Sequence, residues 1–327
     1  MNKLLFLSKG EDSSATRYRA LQFFPRFNEA GWTVEHLSAS GGLLTWGRLL
    51  AAAAAADVVV VLRKTFPAPL HWLLRRFARR LVFDFDDAIF CNSNGSPSPT
   101  RMQRFARMIA ACDHVFAGNG FLAAQAARFN PAVTLLPTAV EVGRYAQAAS
   151  RAGGEHIDAV WIGSSSTRKY LVEALPALRL AAQREPRLRL KIIADFDLPD
   201  AGLPTLAVRW QADSEAAELA SAHFGIAPMR DDDWSRGKCA LKVLQYMAAG
   251  LPVVSSNCGA NAEIIVDGQT GYLVDDDAAW AARMVELAGD AGRCAAMGEA
   301  GRQRALAGYD LAPVFATMNR QLEALLR

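Results

Sequence analysis

The sequence predicts an α/β fold made of two doubly wound domains. The chain has 327 residues, more than the roughly 100–200 of one typical domain. Short apolar runs alternate with segments of helical periodicity, which is typical of parallel sheets covered by helices on both faces. A small, polar stretch without periodicity at 146–155 separates two such series. We therefore expect one domain at 1–150 and a second at 151–327.

The first series follows a strand, loop, helix, strand order. We predict strands at Asn2–Ser8, Thr33–Leu37, Asp57–Leu62, Leu81–Phe85, His114–Ala117 and Val133–Leu136. We predict helices at Arg17–Ala30, Ala51–Ala56, Leu70–Leu81, Thr100–Ala111 and Gly120–Phe129. The six alanines at 51–56 favour a helix over a linker because alanine has the highest helix propensity.

The second series restarts the alternation. We predict strands at Ile157–Ile162, Leu188–Ala194, Leu206–Trp210, Phe224–Ala227 and Pro252–Ser255. We predict helices at Tyr170–Gln183 with a kink at Pro176, at Ser214–Ala222 and at Cys239–Ala249. Two such domains in tandem predict a cleft between them, with ligand at the carboxyl ends of the strands.

Composition indicates a soluble, cytoplasmic protein. Hydrophobic residues make up 51% and charged residues 21% of the chain, and no apolar run approaches the roughly 18 residues that suggest a bilayer span. The N-terminus reads as a strand and not as a signal peptide. The five cysteines lack CxxC spacing and the five histidines lack ligand or triad spacing, so we expect free thiols and no metal site.

The net charge of +3 divides unevenly, with +7 over 1–150 and −4 over 151–327. Much of the excess comes from four arginines near Trp72 and Phe77, namely Arg75, Arg76, Arg79 and Arg80. Two interpretations remain open: a solvated helix face, or a surface that docks on an anionic membrane or a polyanionic acceptor. Nucleic acid is not expected as a partner.

Two lysines mark the start of the helix predicted at Cys239–Ala249. Lys238 and Lys242 are four residues apart and therefore on one side of the first turns, where free N–H groups and the helix dipole add positive charge. This combination suits a pyrophosphate. Lysines at this spacing are also common on a solvated helix face.

The segment from Gly237 to Val274 carries a more specific signal. It contains GKxxxKxLQYMAAGLPVVSS followed by GxNxEIIxDGxxGYLV. This segment resembles the donor-binding C-terminal domain of retaining GT-B glycosyltransferases of family 4, the glycosyl transferases group 1. Further matches are DFDDAIF at 84–90, AGN at 117–119, PT at 137–138 and WIGS at 161–164, so the resemblance spans nearly the whole chain.

The resemblance implies a GT-B architecture, in which two Rossmann-like domains face a central cleft. The first domain would hold the acceptor and the second the donor, and the last helix would pack back on the first domain. The implied reaction moves a hexose-type sugar from a nucleotide-diphosphate sugar to a glycan or lipid-linked acceptor, with retention and no obligatory metal or other cofactor. The implied setting is cell-surface polysaccharide assembly in the cytoplasm, peripheral to the inner membrane face if the arginines bind lipid.

The resemblance also implies the residues of the donor and acceptor sites. The donor side comprises Gly163, Ser164, Arg168, Lys169, Lys238, Lys242, Gln245, Asn261 and Glu263. The loop that begins at Gly163 has a flexible glycine, hydroxyls and two cations suited to phosphate, although a serine-rich helix N-cap would look the same. The acceptor side comprises Gly10, Arg17 and Arg19, for which an ordinary surface loop is the alternative.

The sequence departs from the family in its paired glutamates. Aligning LQYM with the family's LEAM puts Gln245 at the second glutamate and Gly237 at the first. Gln245 can hydrogen-bond a ribose hydroxyl without the carboxylate charge, and Gly237 has no side chain to hold a donor sugar. Sugar contacts then come from elsewhere, or the chain is a nucleotide- or glycan-binding relative with impaired activity.

Three carboxylates end the strand predicted at Leu81–Phe85. Within the resemblance, Asp86 or Asp87 faces the acceptor hydroxyl and accepts or orients its proton, whereas a helix N-cap is the simpler interpretation. A Mg²⁺-dependent phosphatase of the haloacid dehalogenase class would instead use Asp84 as nucleophile and Asp86 as acid/base. Ala88 stands where that class has Thr or Val. A GT-A metal site is disfavoured by the second α/β domain.

Overall fold

A computed structural model describes residues 2–146 and 155–327. Within these residues the chain forms two compact units. Unit 1 contains the described parts of 1–139, 232–239 and 311–327, and unit 2 those of 140–231 and 240–310. Most of the linker predicted at 146–155 falls on 147–154, outside the described residues.

Unit 1 is built on a six-stranded parallel sheet. Its strands are β1 (Asn2–Ser8), β2 (Trp32–Ser38), β3 (Val58–Leu62), β4 (Leu81–Phe85), β5 (His114–Ala117) and β6 (Val133–Leu135). They lie in the order β2-β1-β3-β4-β5-β6. The order reverses between β1 and β3, and such a switch point leaves a crevice at the carboxyl ends of the two strands.

Helices cover both faces of this sheet. They are α1 (Ser14–Arg19), α2 (Phe24–Glu29), α3 (Leu43–Ala55), α4 (Ala68–Phe77), α5 (Pro99–Ala111) and α6 (Gly120–Ala127). The single helix expected at Arg17–Ala30 is wrong: α1 ends at Arg19, and a 3₁₀ turn at Leu21–Phe23 precedes α2. Ala20 breaks the helix with φ −132° and ψ −70°. The helix expected at Leu70–Leu81 stops at Phe77 because Ala78 is extended and Leu81 opens β4.

Two elements late in the chain also belong to unit 1. They are α10 (Asp233–Arg236) and α15 (Leu311–Ala324). Four apolar residues of α15 are buried against one face of the sheet: Leu311, Val314, Met318 and Leu322. The rings of Phe315 and Phe27 meet edge to face with centroids 4.9 Å apart. The C-terminal helix therefore completes the core of the N-terminal sheet.

Unit 2 is built on a second six-stranded parallel sheet. Its strands are β7 (Ile157–Ile162), β8 (Leu188–Ala194), β9 (Thr205–Arg209), β10 (Phe224–Ala227), β11 (Val253–Ser256) and β12 (Gly271–Val274). Their order, β9-β8-β7-β10-β11-β12, is the 3-2-1-4-5-6 order of dinucleotide-binding sheets. Its switch point lies between β7 and β10. Two doubly wound parallel sheets confirm the predicted fold class.

The helices of unit 2 correct two predicted boundaries. They are α7 (Arg168–Glu173), α8 (Leu175–Arg184), α9 (Glu215–Ala220), α11 (Leu241–Ala248), α12 (Gly259–Ile264), α13 (Asp277–Gly289) and α14 (Ala291–Gly308). The kink expected at Pro176 is a full break at Ala174, because proline takes the first turn of a new helix. The helix expected from Cys239 starts at Leu241, since Ala240 adopts left-handed angles of φ 52° and ψ 33°. No helix in the described residues combines the length and hydrophobicity that a bilayer span requires.

Candidate functional site

Gly163 follows β7 directly, at the switch point of unit 2. Its N–H donates to the carbonyl of Ile193 at 3.0 Å. A Cβ at this position would lie 2.3 Å from the Trp161 ring and 2.8 Å from Nζ of Lys242. Only glycine fits, so the backbone after β7 comes close to a lysine ammonium, as a loop that approaches a phosphate must.

Lys242 supplies the cation at this loop. Its Nζ lies 3.9 Å from the Trp161 ring centroid and donates to Oγ1 of Thr167 at 3.2 Å. Lys242 is the second residue of α11, whose N-cap Ala240 offers no side-chain cap. The helix N-terminus and the ammonium therefore present positive charge at the same place.

Hydrogen bonds within the loop and to Asp195 hold its remaining residues in place. Ser164 and Thr167 form a reciprocal capping box on the 3₁₀ turn Ser165–Thr167. Asp195 accepts hydrogen bonds from the N–H and Oγ of Ser165, both at 2.8 Å. The loop therefore has one preferred shape. Ser164 at its rim is exposed.

Two cationic side chains follow the loop, and both lie over aromatic rings. Arg168 is exposed and lies 5.5 Å from the ring of Phe196, and Nζ of Lys169 lies 4.9 Å from the ring of Tyr170. Sequence reasoning could not assign separate roles to these two residues. The structure places the ammonium of Lys242 against Gly163.

Gln245 belongs to a buried polar cluster in unit 2. Its Nε2 donates to Oε1 of Glu215 at 2.9 Å and contacts Oη of Tyr145 at 3.3 Å. The same carboxylate accepts from Tyr145 Oη at 2.5 Å and from Trp210 Nε1 at 2.6 Å. Glu215 is 3% exposed, so a carboxylate on another helix lies beside the position where the family motif carries its own. Sequence reasoning missed Glu215, since nothing in the pattern links α9 to α11.

Asn261 and Glu263 lie on the short helix α12 but in different environments. Asn261 is buried, and its Nδ2 donates to Oγ of Ser255 at 2.8 Å, at the carboxyl end of β11. Glu263 is exposed. Asn261 therefore fixes α12 to the sheet, and Glu263 is the member of this pair with a solvent-facing side chain.

Asp84 of unit 1 is engaged in a buried ion pair. Its two carboxylate oxygens accept from Nε and Nη2 of Arg19 at 2.7 and 3.0 Å. Asp84 is 0% and Arg19 2% exposed. Burial raises the pKa of Asp84 to about 6, against the opposing charge of Arg19. A nucleophile needs a free and accessible carboxylate, so this geometry disfavours the phosphatase interpretation.

Asp86 and Asp87 lie beyond the end of β4 and meet two cations. Arg63 Nε is 3.1 Å from Oδ1 of Asp86, and Nη2 of Arg63 contacts Asp87. Asp87 also accepts from Nζ of Lys238 at 2.6 Å. Asp87 is therefore shared between two cations, whereas Asp86 meets Arg63 at the edge of the cluster.

Lys238 does not lie on the helix that carries Lys242. It belongs to the segment 232–239 of unit 1, because the helix begins only at Leu241. Its ammonium lies 4.2 Å from the Trp234 ring centroid and pairs with Asp87. The predicted side-by-side arrangement of Lys238 and Lys242 on one helix is wrong.

The segment 232–239 explains the unexpected glycine at 237. A Cβ on Gly237 would lie 2.5 Å from Cβ and 2.7 Å from N of Ala88. The side chain of Asn119 donates to the carbonyls of Arg236 and Lys238, both at 2.9 Å. Parts of three segments that were separate matches in the sequence, namely 84–90, 117–119 and the start of 237–274, therefore meet at the carboxyl edge of the sheet of unit 1. A glutamate has no room at 237.

The residues of the predicted acceptor loop do not act alike. Arg19 is committed to Asp84 and to the carbonyl of Leu136 at 2.8 Å, whereas Arg17 is exposed. Gly10 has φ +151°, and its N–H donates to Oγ of Ser8 at 3.1 Å. Gly10 and Arg17 are therefore loop and surface residues, and Arg19 holds the sheet edge together.

The four arginines near α4 are mostly paired. Arg79 pairs with Asp57 at 3.0 Å, and Arg75 and Arg80 approach Asp113 at 3.5 and 3.9 Å. Arg76 is exposed. The cluster is therefore less positive than its sequence indicates.

All five cysteines are buried thiols. Burial and the charges of Asp86 and Asp84 raise the pKa of the Cys239 thiol, which keeps it protonated. In the described ranges, no three His, Cys, Asp or Glu side chains come together as metal ligands.

Comparisons with known proteins agree with this architecture. Residues 158–290 match the family model described as Glycosyl transferases group 1. Sucrose-phosphate synthase from Thermosynechococcus elongatus superposes with a TM-score of 0.79 at 15% identity, over 100% of this chain and 99% of that one. The fold is GT-B. A GT-B structure of Anabaena Alr3699/HepE with UDP and glucose gives 0.74 at 14% identity, over 99% and 100% of the two chains.

A third GT-B neighbour is a glycosyltransferase from Rickettsia africae, with a TM-score of 0.76 at 12% identity over 100% of this chain and 99% of that one. No curated protein matches the chain significantly in sequence. At identities this low, the structural similarity establishes the GT-B fold alone. The reaction and the substrates must be argued from the residues.

Proposed function

We propose that this protein is a glycosyltransferase that transfers a hexose-type sugar from a nucleotide-diphosphate sugar to a glycan or lipid-linked acceptor. We further propose retention of the anomeric configuration, a cytoplasmic location and a role in assembling cell-surface polysaccharide. The observation that carries the proposal is the close approach of Gly163 and Lys242 at the switch point of unit 2. The family match at 158–290 includes both residues.

The donor loop supports diphosphate binding by ordinary electrostatics. Gly163 brings bare backbone to the ammonium of Lys242, and α11 begins beside it. An anion here would gain charge-assisted hydrogen bonds and the favourable end of the helix dipole. These cationic groups can neutralise the leaving diphosphate, so we propose that transfer needs no divalent metal ion.

Asp86 is the proposed proton acceptor of unit 1. Asp84 is buried against Arg19, and Asp87 is shared between Arg63 and Lys238. Asp86 has one arginine contact, at 3.1 Å, and its side chain is 14% exposed. It is therefore the carboxylate of the three best able to accept a proton from an acceptor hydroxyl.

The test is titration calorimetry of the full chain with UDP, GDP, ADP and TDP, followed by turnover assays with the matching sugars. Lys242→Met should weaken binding of the preferred nucleotide by about 1.5–3 kcal/mol, the range for hydrogen bonds to a charged group. Arg302→Met is the control, since this arginine pairs with Glu299 on α14 and should leave nucleotide binding unchanged.

Each outcome of that test has a clear meaning. Failure of all four nucleotides to bind, or equal binding by Lys242→Met and wild type, contradicts the donor assignment. Nucleotide binding without transfer to any acceptor favours the alternative of a binding relative with impaired activity. That alternative is motivated by the absence of glutamates at Gly237 and Gln245.

We also propose that one stripe of α4 docks on an anionic membrane. The stripe comprises Pro69, Trp72, Leu73, Arg76 and Phe77, which share one helical face by their spacing. Trp72 is 65% and Phe77 44% exposed, and Arg76 lies between them. Exposed aromatic rings with an interleaved arginine are the composition of interfacial helices.

Co-sedimentation with phosphatidylglycerol vesicles tests this surface, with phosphatidylcholine vesicles as the neutral reference. Trp72→Ala combined with Arg76→Glu should abolish salt-sensitive binding, because each basic residue near such a surface contributes about 1 kcal/mol. Leu135→Ala, another exposed apolar residue of unit 1, should bind as wild type does. If the wild-type protein does not bind anionic vesicles at low salt, the membrane proposal is refuted and the transferase proposal is unaffected.

A further inference from the structure

A cavity of about 440 Å³ opens in unit 1 at the switch point between β1 and β3. Its lining residues are Ser8, Lys9, Ser13, Ala15, Thr16, Ser40, Leu62, Arg63, Lys64 and Ile89. Three are cations, four carry hydroxyls and three are apolar, and none of these described lining residues carries a carboxylate. The volume falls in the range of small-molecule pockets.

Two ammonium groups of this wall lack acidic partners. Within residues 2–146 and 155–327, no carboxylate forms an ion pair with Lys9 or Lys64. Nζ of Lys64 donates to the carbonyl of Ala39 and to Oγ of Ser40 at 3.1 Å. Burial and the nearby charge of Lys9 lower the pKa of Lys64. Like charges held near each other without a counterion are costly, and an anion between them removes that cost.

Arg63 is the third cation, and its backbone is strained. Its φ of 53° is in the left-handed region, which costs a non-glycine residue energy. Its N–H donates to the carbonyl of Asp84 at 2.8 Å, and its guanidinium contacts Asp86 and Asp87. This conformation is held by the surrounding contacts. Arg63 therefore connects the lining of the cavity to Asp86, the proposed proton acceptor.

Hydrogen bonds of nearby hydroxyl groups hold the loop that carries Lys9 in place. Thr16 Oγ1 donates to Ser8 Oγ at 2.7 Å, and Ser8 Oγ also accepts from the N–H of Gly10 at 3.1 Å. Ser40 Oγ donates to the carbonyl of Lys9 at 3.1 Å. The backbone that carries Lys9 is therefore positioned before any ligand arrives, which reduces the entropy lost on binding.

We propose that this cavity binds the phosphate group of the acceptor substrate. The proposal rests on the function proposed above and gives its acceptor a chemical class, phosphate-bearing. A phosphate with two negative charges matches the two unpaired ammoniums, and hydroxyls supply further donors. The apolar residues of the lining contact the carbon skeleton of the acceptor. A soluble sugar phosphate and a lipid-linked diphosphate share this chemistry.

Calorimetry with the full chain, with UDP already bound, tests the proposal with three probes. Glucose 6-phosphate represents a soluble acceptor, farnesyl diphosphate a lipid-linked one, and glucose the uncharged reference. Wild type should bind at least one phosphate probe and should bind glucose much more weakly. Lys9→Met and Lys64→Met should each weaken that probe ten- to hundredfold while UDP affinity stays unchanged. Lys3→Met, an exposed lysine of β1, is the matched control and should bind as wild type does.

The outcomes separate this proposal from the proposed function. Binding of glucose 6-phosphate alone supports the cavity and a soluble acceptor, and binding of farnesyl diphosphate alone supports the cavity and a lipid-linked one. If UDP binds but neither phosphate probe does, or if the probe binds Lys9→Met and Lys64→Met as tightly as Lys3→Met, the cavity proposal is overturned and the transferase proposal stands. If UDP does not bind, the three probes are titrated with whichever of GDP, ADP and TDP does bind, and if none of the four nucleotides binds, both proposals fall. Lys9 is exposed, so its variant remains informative even if Lys64→Met loosens the contact to Ala39.

Discussion

Replacing Gly163 by alanine should damage both the stability of unit 2 and nucleotide binding. The added Cβ would lie 2.3 and 2.6 Å from two atoms of the Trp161 ring and 2.8 Å from Nζ of Lys242. Trp161 is fully buried in the core of unit 2, so moving its ring would disturb the side chains packed around it. Overpacking of a close-packed site costs about 1–3 kcal/mol. Lys242 is on a flexible stem and should move, which removes its cation from the diphosphate position.

Two assays follow these two effects. Thermal unfolding should show a lower Tm, by about 2–4 °C for each kcal/mol in a unit of this size. Calorimetry should show weaker binding of the preferred nucleotide. Gly289→Ala is the matched control, because a Cβ added there, at the end of α13, meets no described atom within 4 Å outside its own turn of the helix. The reasoning is refuted if Gly163→Ala matches wild type in both Tm and nucleotide affinity.

Three further predictions concern unit 1 and the metal question. Arg19→Met leaves Asp84 buried without its partner and should lower the free energy of unfolding by about 3–5 kcal/mol in urea titrations; an unchanged midpoint would contradict the pairing. Gly237→Ala should also destabilise the protein, by about 1–3 kcal/mol, because the new Cβ meets Ala88 at 2.5 Å. A wild-type Tm in that variant would show that the approach is not tight. Turnover should persist in excess EDTA, whereas loss of activity with rescue by Mg²⁺ or Mn²⁺ would favour a metal-dependent reaction.

The alternation of apolar runs and helical periodicity predicted eleven of the twelve strands in the described residues, because buried parallel strands read as continuous apolar segments. The edge strand β12 (Gly271–Val274) was missed. Val58–Leu62 and Leu81–Phe85 are fully buried strands of this kind. Helix interruptions were harder to predict. The apolar pattern does not show whether the proline at 176 bends one helix or, as observed, lies in the first turn of a second helix that begins after Ala174.

The site shows a similar limit of sequence reasoning. Gly163 and Lys242 could be chosen from the sequence because a glycine after a strand and a lysine at a helix start have local meanings. Helical spacing mispositioned Lys238, since a single left-handed residue, Ala240, separates it from the helix. The partners of Gln245 and Lys64 come from distant parts of the chain, and one sequence does not show which distant residues meet. Lys64 could have been selected from the sequence, because it lies just after β3, at the carboxyl edge of the sheet where ligands bind.

The placement of α15 in unit 1 has a consequence for how the protein is made. The ribosome delivers the strands β1 to β6 first, but the helix that buries one face of their sheet is more than 170 residues further along the chain. Until that helix emerges, the rings of Phe23 and Phe27 lack their contacts with Phe315, and the newly made chain exposes an apolar surface that favours aggregation. Unit 2 can therefore close around its own sheet first, whereas the core of unit 1 is complete only after α15 has been synthesised.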